Sequence, residues 1–210
     1  MPTNEPTLPP DLEEQLLRAG FADDGSGDTL LRDSLTSHLA RQRVLALRAA
    51  NRRGLLARQD WVRALKDTDL EVRREALSLL AYVPDLEPQL LEVVRSLLDD
   101  PDALVVDAAI FALGEHLDTN ALERFVAIAR EHDDARCRES AIAALGALGD
   151  ERALATVLAA LEDKPPVRRR AIVALSNFEG PEVDAALALA AQDRDWQVRA
   201  AVDQLNKETD

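Results

Sequence analysis

The sequence predicts an all-α fold, a solenoid of about six helical-hairpin repeats. One block of similar residues recurs, with copies that begin at Asp67, Asp100, His132, Asp163 and Asp193. Aligned on one apolar position, the copies are 33, 32, 30 and 31 residues apart, with anchors at Val72, Val105, Cys137, Val167 and Val198. Such a period is typical of stacked repeats, because one unit cannot bury its own apolar face. Hydrophobic residues make up 47% of the chain but aromatic residues only 3%, so the core must consist of small and aliphatic side chains that let helices approach closely.

The repeats are predicted to form a single domain over residues 11–206, with a tail at 207–210. Residues 1–10 contain four prolines, which favours a flexible lead. Residues 11–21 are typical of a capping helix, and the turn-rich sequence ADDGSGD follows it. The six repeats are expected at about 22–54, 55–84, 85–117, 118–149, 150–179 and 180–206.

Each repeat is predicted to contain two helices. The first helices are expected near 28–36, 56–66, 86–99, 119–131, 151–162 and 181–191. The second helices are expected near 38–52, 69–82, 103–117, 135–148, 166–178 and 195–206. Prolines fall at predicted turns or first helical turns, where they cost no helical hydrogen bond. An aspartate lies three residues before four of the anchors, where it can cap the helix start: Asp69, Asp102, Asp134 and Asp195.

The first repeat is a degenerate copy. Its alignment places Ala40-Arg41 in the Val-Arg position, Val44 in the alanine position and Leu47 in the next apolar position. The anchor of this copy, Ala40, then lies 32 residues before Val72.

A helical wheel divides each second helix into a core stripe and an exposed row. Apolar residues recur 0, 4, 7, 8 and 11 positions after the anchor, within one stripe about 100° wide. The opposite row is the candidate partner-binding surface, where apolar residues would provide contacts and charged residues would fix register. Its members are Gln42, Arg43, Leu70, Arg74, Glu75, Ser78, Leu104, Asp107, Phe111, Arg136, Glu139, Arg169, Arg170, Val173, Trp196 and Gln197.

The repeats resemble HEAT-like repeats of the phycobilisome-lyase type, whose units read D-x-x-V-R-x-x-A-x-x-A-L-G. The clearest matching residues are Asp69, Val72, Arg73, Ala76 and Leu80, then Asp134, Arg138, Ala141, Ala144, Leu145 and Gly146. The resemblance implies a right-handed, armadillo-type α-solenoid whose second helices line a concave face. It also implies an Asp–Arg ladder between neighbouring repeats. Because Val106 replaces the arginine, we expect the ladder to be interrupted between the second and fourth repeats.

Charge and residue content exclude several function classes. The net charge of −14 argues against nucleic-acid and anionic-membrane partners, which require a basic footprint. Within this acidic chain, six arginines between Arg41 and Arg58 have no acidic residue among them. Two interpretations remain open for this cluster, a solvated face and a binding patch. No apolar run approaches the length of a membrane span, and the N-terminus lacks a signal peptide, so we expect a cytoplasmic protein.

No catalytic, metal or cofactor site is predicted. Deoxyhypusine hydroxylase, which resembles this chain in its repeats, binds iron through His-Glu pairs directly after Val-Arg. The corresponding dipeptides here contain no histidine: Arg74-Glu75, Asp107-Ala108, Glu139-Ser140, Arg169-Arg170 and Ala200-Ala201. Cys137 is expected to be a buried hydrophobic residue and Trp61 to pack within the array.

These features favour a non-enzymatic protein-interaction scaffold, a monomer that binds a peptide or protein on its concave face. One alternative is an accessory lyase or chaperone-like protein that acts on a cofactor-bearing protein. A second alternative is a HEAT-like nucleic-acid-binding protein related to DNA glycosylases, which the acidic charge disfavours.

Overall fold

A computed structural model describes residues 8–209, which are all-helical and contain thirteen α-helices. In chain order they are α1 Pro10–Ala19, α2 Asp28–Ser34, α3 Ala40–Arg52, α4 Arg58–Leu65, α5 Leu70–Leu80, α6 Pro88–Ser96, α7 Ala103–Glu115, α8 Leu122–Glu131, α9 Ala135–Leu148, α10 Leu154–Ala159, α11 Pro165–Leu175, α12 Pro181–Ala190 and α13 Trp196–Thr209. Short 3-10 turns extend some of them, at Leu97–Asp99, Thr119–Ala121, Glu151–Ala153 and Ala160–Glu162. Most of the lead expected at residues 1–10 lies outside the described residues.

The chain divides into two compact units, Met1–Leu97 and Leu98–Asp210. In the first unit, a core of Leu16, Leu31 and Ala46 joins the capping helix α1 to α2 and α3. In the second unit, Ile172 packs with Val198 and Val202, which attaches the last helix to its neighbour. Each unit therefore shows the predicted alternation of first and second helices.

Local sequence signals explain where the second helices begin. Asp69, Asp102 and Asp134 each accept a hydrogen bond from the backbone N–H two residues later, at 2.8–2.9 Å. Asp195 does the same before α13. Prolines begin α1, α6, α11 and α12, where the missing N–H would have no helical partner. The predicted helix starts are confirmed to within two residues, except in the first helices of the fourth and fifth repeats, each of which starts as a 3-10 turn.

The core stripe is confirmed by burial. The five anchor residues are all at most 1% exposed, and Trp61 is also buried. Burial raises the pKa of the Cys137 thiol to about 11, and its sulfur lies 3.2 Å from the backbone carbonyl of Ala103. Cys137 therefore packs as a small hydrophobic residue, as predicted.

The predicted register of the first repeat is wrong by two residues. Arg43, not Arg41, occupies the Val-Arg arginine position, because it binds the Ser37 carbonyl and both oxygens of Asp67. Arg138 makes the equivalent contacts with the His132 carbonyl and with Asp163.

A polar residue at the anchor position hid this register. Gln42 replaces the anchor valine and satisfies its amide with the Ser34 and Ser37 hydroxyls, at 2.9 and 2.6 Å. Gln42 and Arg43 consequently make contacts inside the first unit and do not belong to the predicted exposed row. In the corrected register, Arg41 and Arg48 occupy the exposed row of α3.

Candidate partner-binding face

We define the second-helix face as the exposed row on α5 in the first unit and on α7, α9, α11 and α13 in the second. On α5, Leu70, Arg74 and Glu75 are half-buried and Ser78 is exposed. Glu75 accepts two hydrogen bonds from the Arg48 guanidinium, at 2.6 and 2.7 Å. This pair connects α3 to α5 within the first unit.

The second unit exposes most of the apolar surface of this face. Phe111 is 44% exposed, Val173 51% and Trp196 66%. Leu104 is half-buried, and none of the predicted row residues in this unit is buried. Large apolar side chains exposed along one row are typical of an interaction surface, and aromatic residues are the commonest anchors of such surfaces.

Polar residues of the row pair mostly with one another across neighbouring helices. Asp107 accepts a hydrogen bond from the hydroxyl of Ser140, and Arg170 lies 3.5 Å from Glu139. Arg169 donates to the side chain of Gln197 at 3.2 Å. These contacts connect α7 to α9, α9 to α11 and α11 to α13.

Arg136 differs because it pairs with its own helix cap. Its guanidinium lies 2.8 Å from the carboxylate of Asp134. The hydrogen bond from the Arg136 side chain lowers the pKa of Asp134, which keeps this cap ionised.

A pocket of about 280 Å³ lies between α7 and α9. Ile110, Gly114, Ala144 and Ala147 contribute to its apolar lining, and Phe111 stands beside it. Gly114 permits this packing, since a Cβ there would lie 3.3 Å from that of Ala144.

A second pocket of about 300 Å³ lies between α11 and α13. Val173, Ala200 and Ala201 line it together with Arg169 and Arg170. The second-helix face of this unit thus presents two concave sites, each with a mixture of apolar and charged lining.

Sequence reasoning missed several residues of the first pocket. Gly114, Glu115 and Ala147 line it but lie beyond the row that the wheel defined. A sequence signal was available, because residues four apart share a helix face. Glu115 lies four residues after Phe111, and Ala147 is the corresponding position in α9.

A profile of HEAT repeats matches residues 58–145 and 122–206, which together cover well over half of the chain. The chain belongs to the HEAT-repeat family. The profile is of HEAT repeats in general, so the lyase subtype stays a prediction. No curated protein sequence matches this HEAT-repeat protein.

Solved structures share the fold of this HEAT-repeat protein at low sequence identity. YibA of E. coli is 17% identical with a TM-score of 0.65, covering 94% of this chain and 74% of YibA. An engineered protein is 20% identical with a TM-score of 0.63, covering 93% of this chain and 96% of its own. A designed armadillo repeat protein in complex with the peptide (KR)4 is 17% identical with a TM-score of 0.57, covering 94% and 98%. The predicted all-α repeat fold is confirmed.

The Asp–Arg ladder is present in the second unit, and it is interrupted at one step of the predicted range, the step from the third to the fourth repeat. Arg138 binds both oxygens of Asp163, and Arg168 binds both oxygens of Asp193. These hydrogen bonds are the main reason why the pKa of each aspartate is lowered.

At the step from α7 to α9, both ladder residues are replaced. Val106 takes the arginine position and is buried, and His132 takes the aspartate position. The His132 ring still caps the turn, because its Nδ1 accepts the backbone N–H of Asp134 at 3.1 Å. The local turn is therefore kept while the ion pair between repeats is lost.

The arginine cluster of the first unit is engaged in internal contacts. Every one of its six arginines has an intramolecular partner: Arg41 with Glu13, Arg43 with Asp67, Arg48 with Glu75, Arg52 with the ring of Phe21, Arg53 with Asp28 and Arg58 with Glu87. Two of these contacts, to Glu13 and Phe21, attach the N-terminal cap to α3, and the contact of Arg53 with Asp28 joins the end of α3 to the start of α2. These internal contacts give the cluster a structural role that neither a solvated face nor a binding patch describes.

Within the described part of the chain, no group of three or more His, Cys, Asp or Glu side chains is placed to hold a metal ion. Over the same residues, no helix has the length and apolar character that crossing a membrane requires.

Proposed function

We propose that the protein is a non-enzymatic scaffold that binds a peptide or protein partner on its second-helix face. The observation that carries this proposal is the exposure of Phe111, Val173 and Trp196 on three of the four second helices of one unit, namely α7, α11 and α13. Large apolar residues exposed in one row are typical of a surface that a partner covers.

The arrangement of polar groups supports binding rather than catalysis. Asp107, Glu139 and Arg169 already have hydrogen-bonding or ionic partners within the face. The buried Cys137 has a raised pKa, and a thiol rather than a thiolate is a poor nucleophile. Because these polar groups are already paired, we expect them to influence which partner binds more than how tightly it binds.

Neither alternative function gains support from the geometry. Pockets that hold small ligands or cofactors occupy about 300–1,000 Å³, and the two pockets of the second-helix face, at about 280 and 300 Å³, lie only at the lower end of this range. The arginines that a nucleic-acid-binding role would need are paired within the chain. By analogy of fold alone, the designed armadillo protein shows that such a scaffold can hold a peptide.

A capture experiment tests the proposal. The purified protein and a Phe111→Ala, Trp196→Ala double variant are used to capture partners from cell extract, followed by mass spectrometry. We expect the double variant to lose the specific partner, because both aromatic anchors are removed. The matched control is Leu189→Ala, which removes a large apolar side chain that is 74% exposed from α12, the first helix of the last repeat. Undiminished capture by the double variant would refute the proposed face.

A further inference from the structure

The pocket between α7 and α9 has a small-residue floor and a charged rim. Ala143, Ala144 and Ala147 present only methyl groups to it, and Gly114 presents none. The Phe111 ring borders this floor. A site of about 280 Å³ with this lining suits one aliphatic side chain, which gains free energy from burial against methyl groups.

The rim of the pocket favours a cation beside that aliphatic side chain. Glu115 and Glu139 contribute two carboxylates, and Arg170 is the only cation among its described lining residues. Arg170 lies 3.5 Å from Glu139. Glu115 is exposed, and its side chain forms no hydrogen bond or ion pair with the described residues. The pocket therefore contains one carboxylate that is available for an incoming cation.

The net charge of the surrounding unit also favours a cationic partner. Residues 98–210 contain 23 acidic and 12 basic residues, a net charge of −11. This field attracts basic segments and repels acidic ones at long range. It also disfavours a second copy of this acidic chain as the occupant of the pocket.

Building on the proposed function, we infer that this pocket binds a basic segment of a partner protein. One aliphatic side chain, such as leucine, enters the pocket between α7 and α9. A lysine or arginine adjacent to it in the partner pairs with Glu115.

Peptide probes test this inference directly on the full chain. The probe is the fluorescein-labelled peptide Gly-Ser-Gly-Lys-Leu-Lys-Gly-Ser-Gly, and binding is followed by fluorescence anisotropy at about 50 mM and about 200 mM salt. A second peptide replaces leucine by serine, and a third replaces both lysines by glutamate. We expect the first peptide to bind at least about tenfold more tightly than the serine peptide, since burial of one leucine side chain corresponds to that factor or more. We expect the glutamate peptide also to bind more weakly than the first, because the acidic unit repels its carboxylates, and equal affinity for these two peptides would overturn the preference for a basic segment.

Two variants locate the binding site. Ala147→Phe fills the pocket from an exposed position, and we expect at least about tenfold weaker binding of the leucine peptide. Its control, Ala155→Phe, adds the same ring at an exposed position of α10 and should leave binding unchanged. Glu115→Gln should weaken binding about threefold and reduce its salt dependence. The control Glu131→Gln, at the exposed end of α8, should do neither.

The outcomes distinguish this inference from the proposed function. Equal affinity for the leucine and serine peptides, no measurable binding of the leucine peptide, or unchanged affinity in Ala147→Phe each overturns the pocket assignment. If the Phe111, Trp196 double variant still loses its captured partner in that case, the second-helix face stands and only this pocket is wrong.

Discussion

The ion pair between Arg168 and Asp193 is expected to hold the last helix of the chain in place. The Arg168 guanidinium donates to both oxygens of Asp193, at 2.9 and 2.7 Å, and to the carbonyl of Asp163 at 2.8 Å. The side chains of Arg168 and Asp193 are 5% and 15% exposed. Asp193 also accepts the backbone N–H of Asp195 at 2.7 Å. One carboxylate thus joins α11 to the turn that begins α13.

The substitution Asp193→Asn removes the ion pair with Arg168 but keeps the hydrogen bond that stabilises the turn. Asparagine keeps one oxygen for the backbone N–H of Asp195, but it removes the negative charge and points a donor at the guanidinium. Removing one partner costs about 3–5 kcal/mol for a fully buried pair and about 0–1 kcal/mol for an exposed pair. Because Asp193 is partly exposed, we expect about 2–3 kcal/mol, the range of a hydrogen bond to a charged group.

Hydrogen exchange is the suitable assay, because the ends of a repeat array open locally. A loss of about 2–3 kcal/mol lowers the protection of α13 amides about 30- to 150-fold, since about 1.4 kcal/mol corresponds to a factor of ten. The double variant with Arg168→Met should be less destabilised than the sum of the two single variants. For comparison, Glu14→Gln breaks the exposed pair with Arg18 and should change α1 protection less than about fivefold. Equal effects of Asp193→Asn and Glu14→Gln would refute the role assigned to the ladder.

Three further predictions address acid stability, packing and thiol reactivity. The pKa of Asp163 is lowered on folding, mainly by its hydrogen bonds from Arg138. Ionised Asp163 therefore stabilises the folded protein above the unfolded pKa of about 3.9, and this stabilisation is lost as pH falls through the lower folded pKa. A urea midpoint that does not decrease from pH 5 to pH 3 would contradict this. Gly146→Ala places a Cβ 2.6 Å from the Cβ of Ala174 and 2.7 Å from its backbone. The overpacking cost of about 1–3 kcal/mol should exceed the helix-propensity gain of about 1 kcal/mol, so we expect the urea midpoint of unfolding to decrease. Cys137 should react with a thiol reagent only when the protein unfolds, because burial raises its pKa to about 11; rapid labelling of the native protein would show that its environment is open.

The repeat register could be predicted from the sequence wherever the anchor is apolar. From the second repeat onward, the Val or Cys anchor together with a preceding aspartate, or with Pro165 in the fifth repeat, indicates where each second helix starts. The first repeat could not be aligned in this way, since its anchor is Gln42, whose amide is satisfied by two serine hydroxyls. An apolar pattern cannot identify a polar residue that is half-buried through side-chain hydrogen bonds.

The candidate site was predictable as a row but not as pockets. The wheel places Phe111, Val173 and Trp196 away from the core, and their exposure confirms this. A pocket depends in addition on how closely two helices approach. That distance is set by pairs such as Gly114 with Ala144, which belong to different repeats and have no relation that a single helical wheel can show.

The distribution of paired charges explains why the apolar residues should dominate partner binding. Most cations of the arginine cluster and most polar residues of the second-helix face are already satisfied within the chain. A partner that engages them must first break those contacts, so their net contribution to affinity is small. The rings of Phe111 and Trp196 are 44% and 66% exposed, and burial of this apolar area against a partner is favourable in itself. We therefore expect affinity to follow the apolar anchors, and the Glu115 carboxylate to influence which segment binds and how strongly salt weakens it.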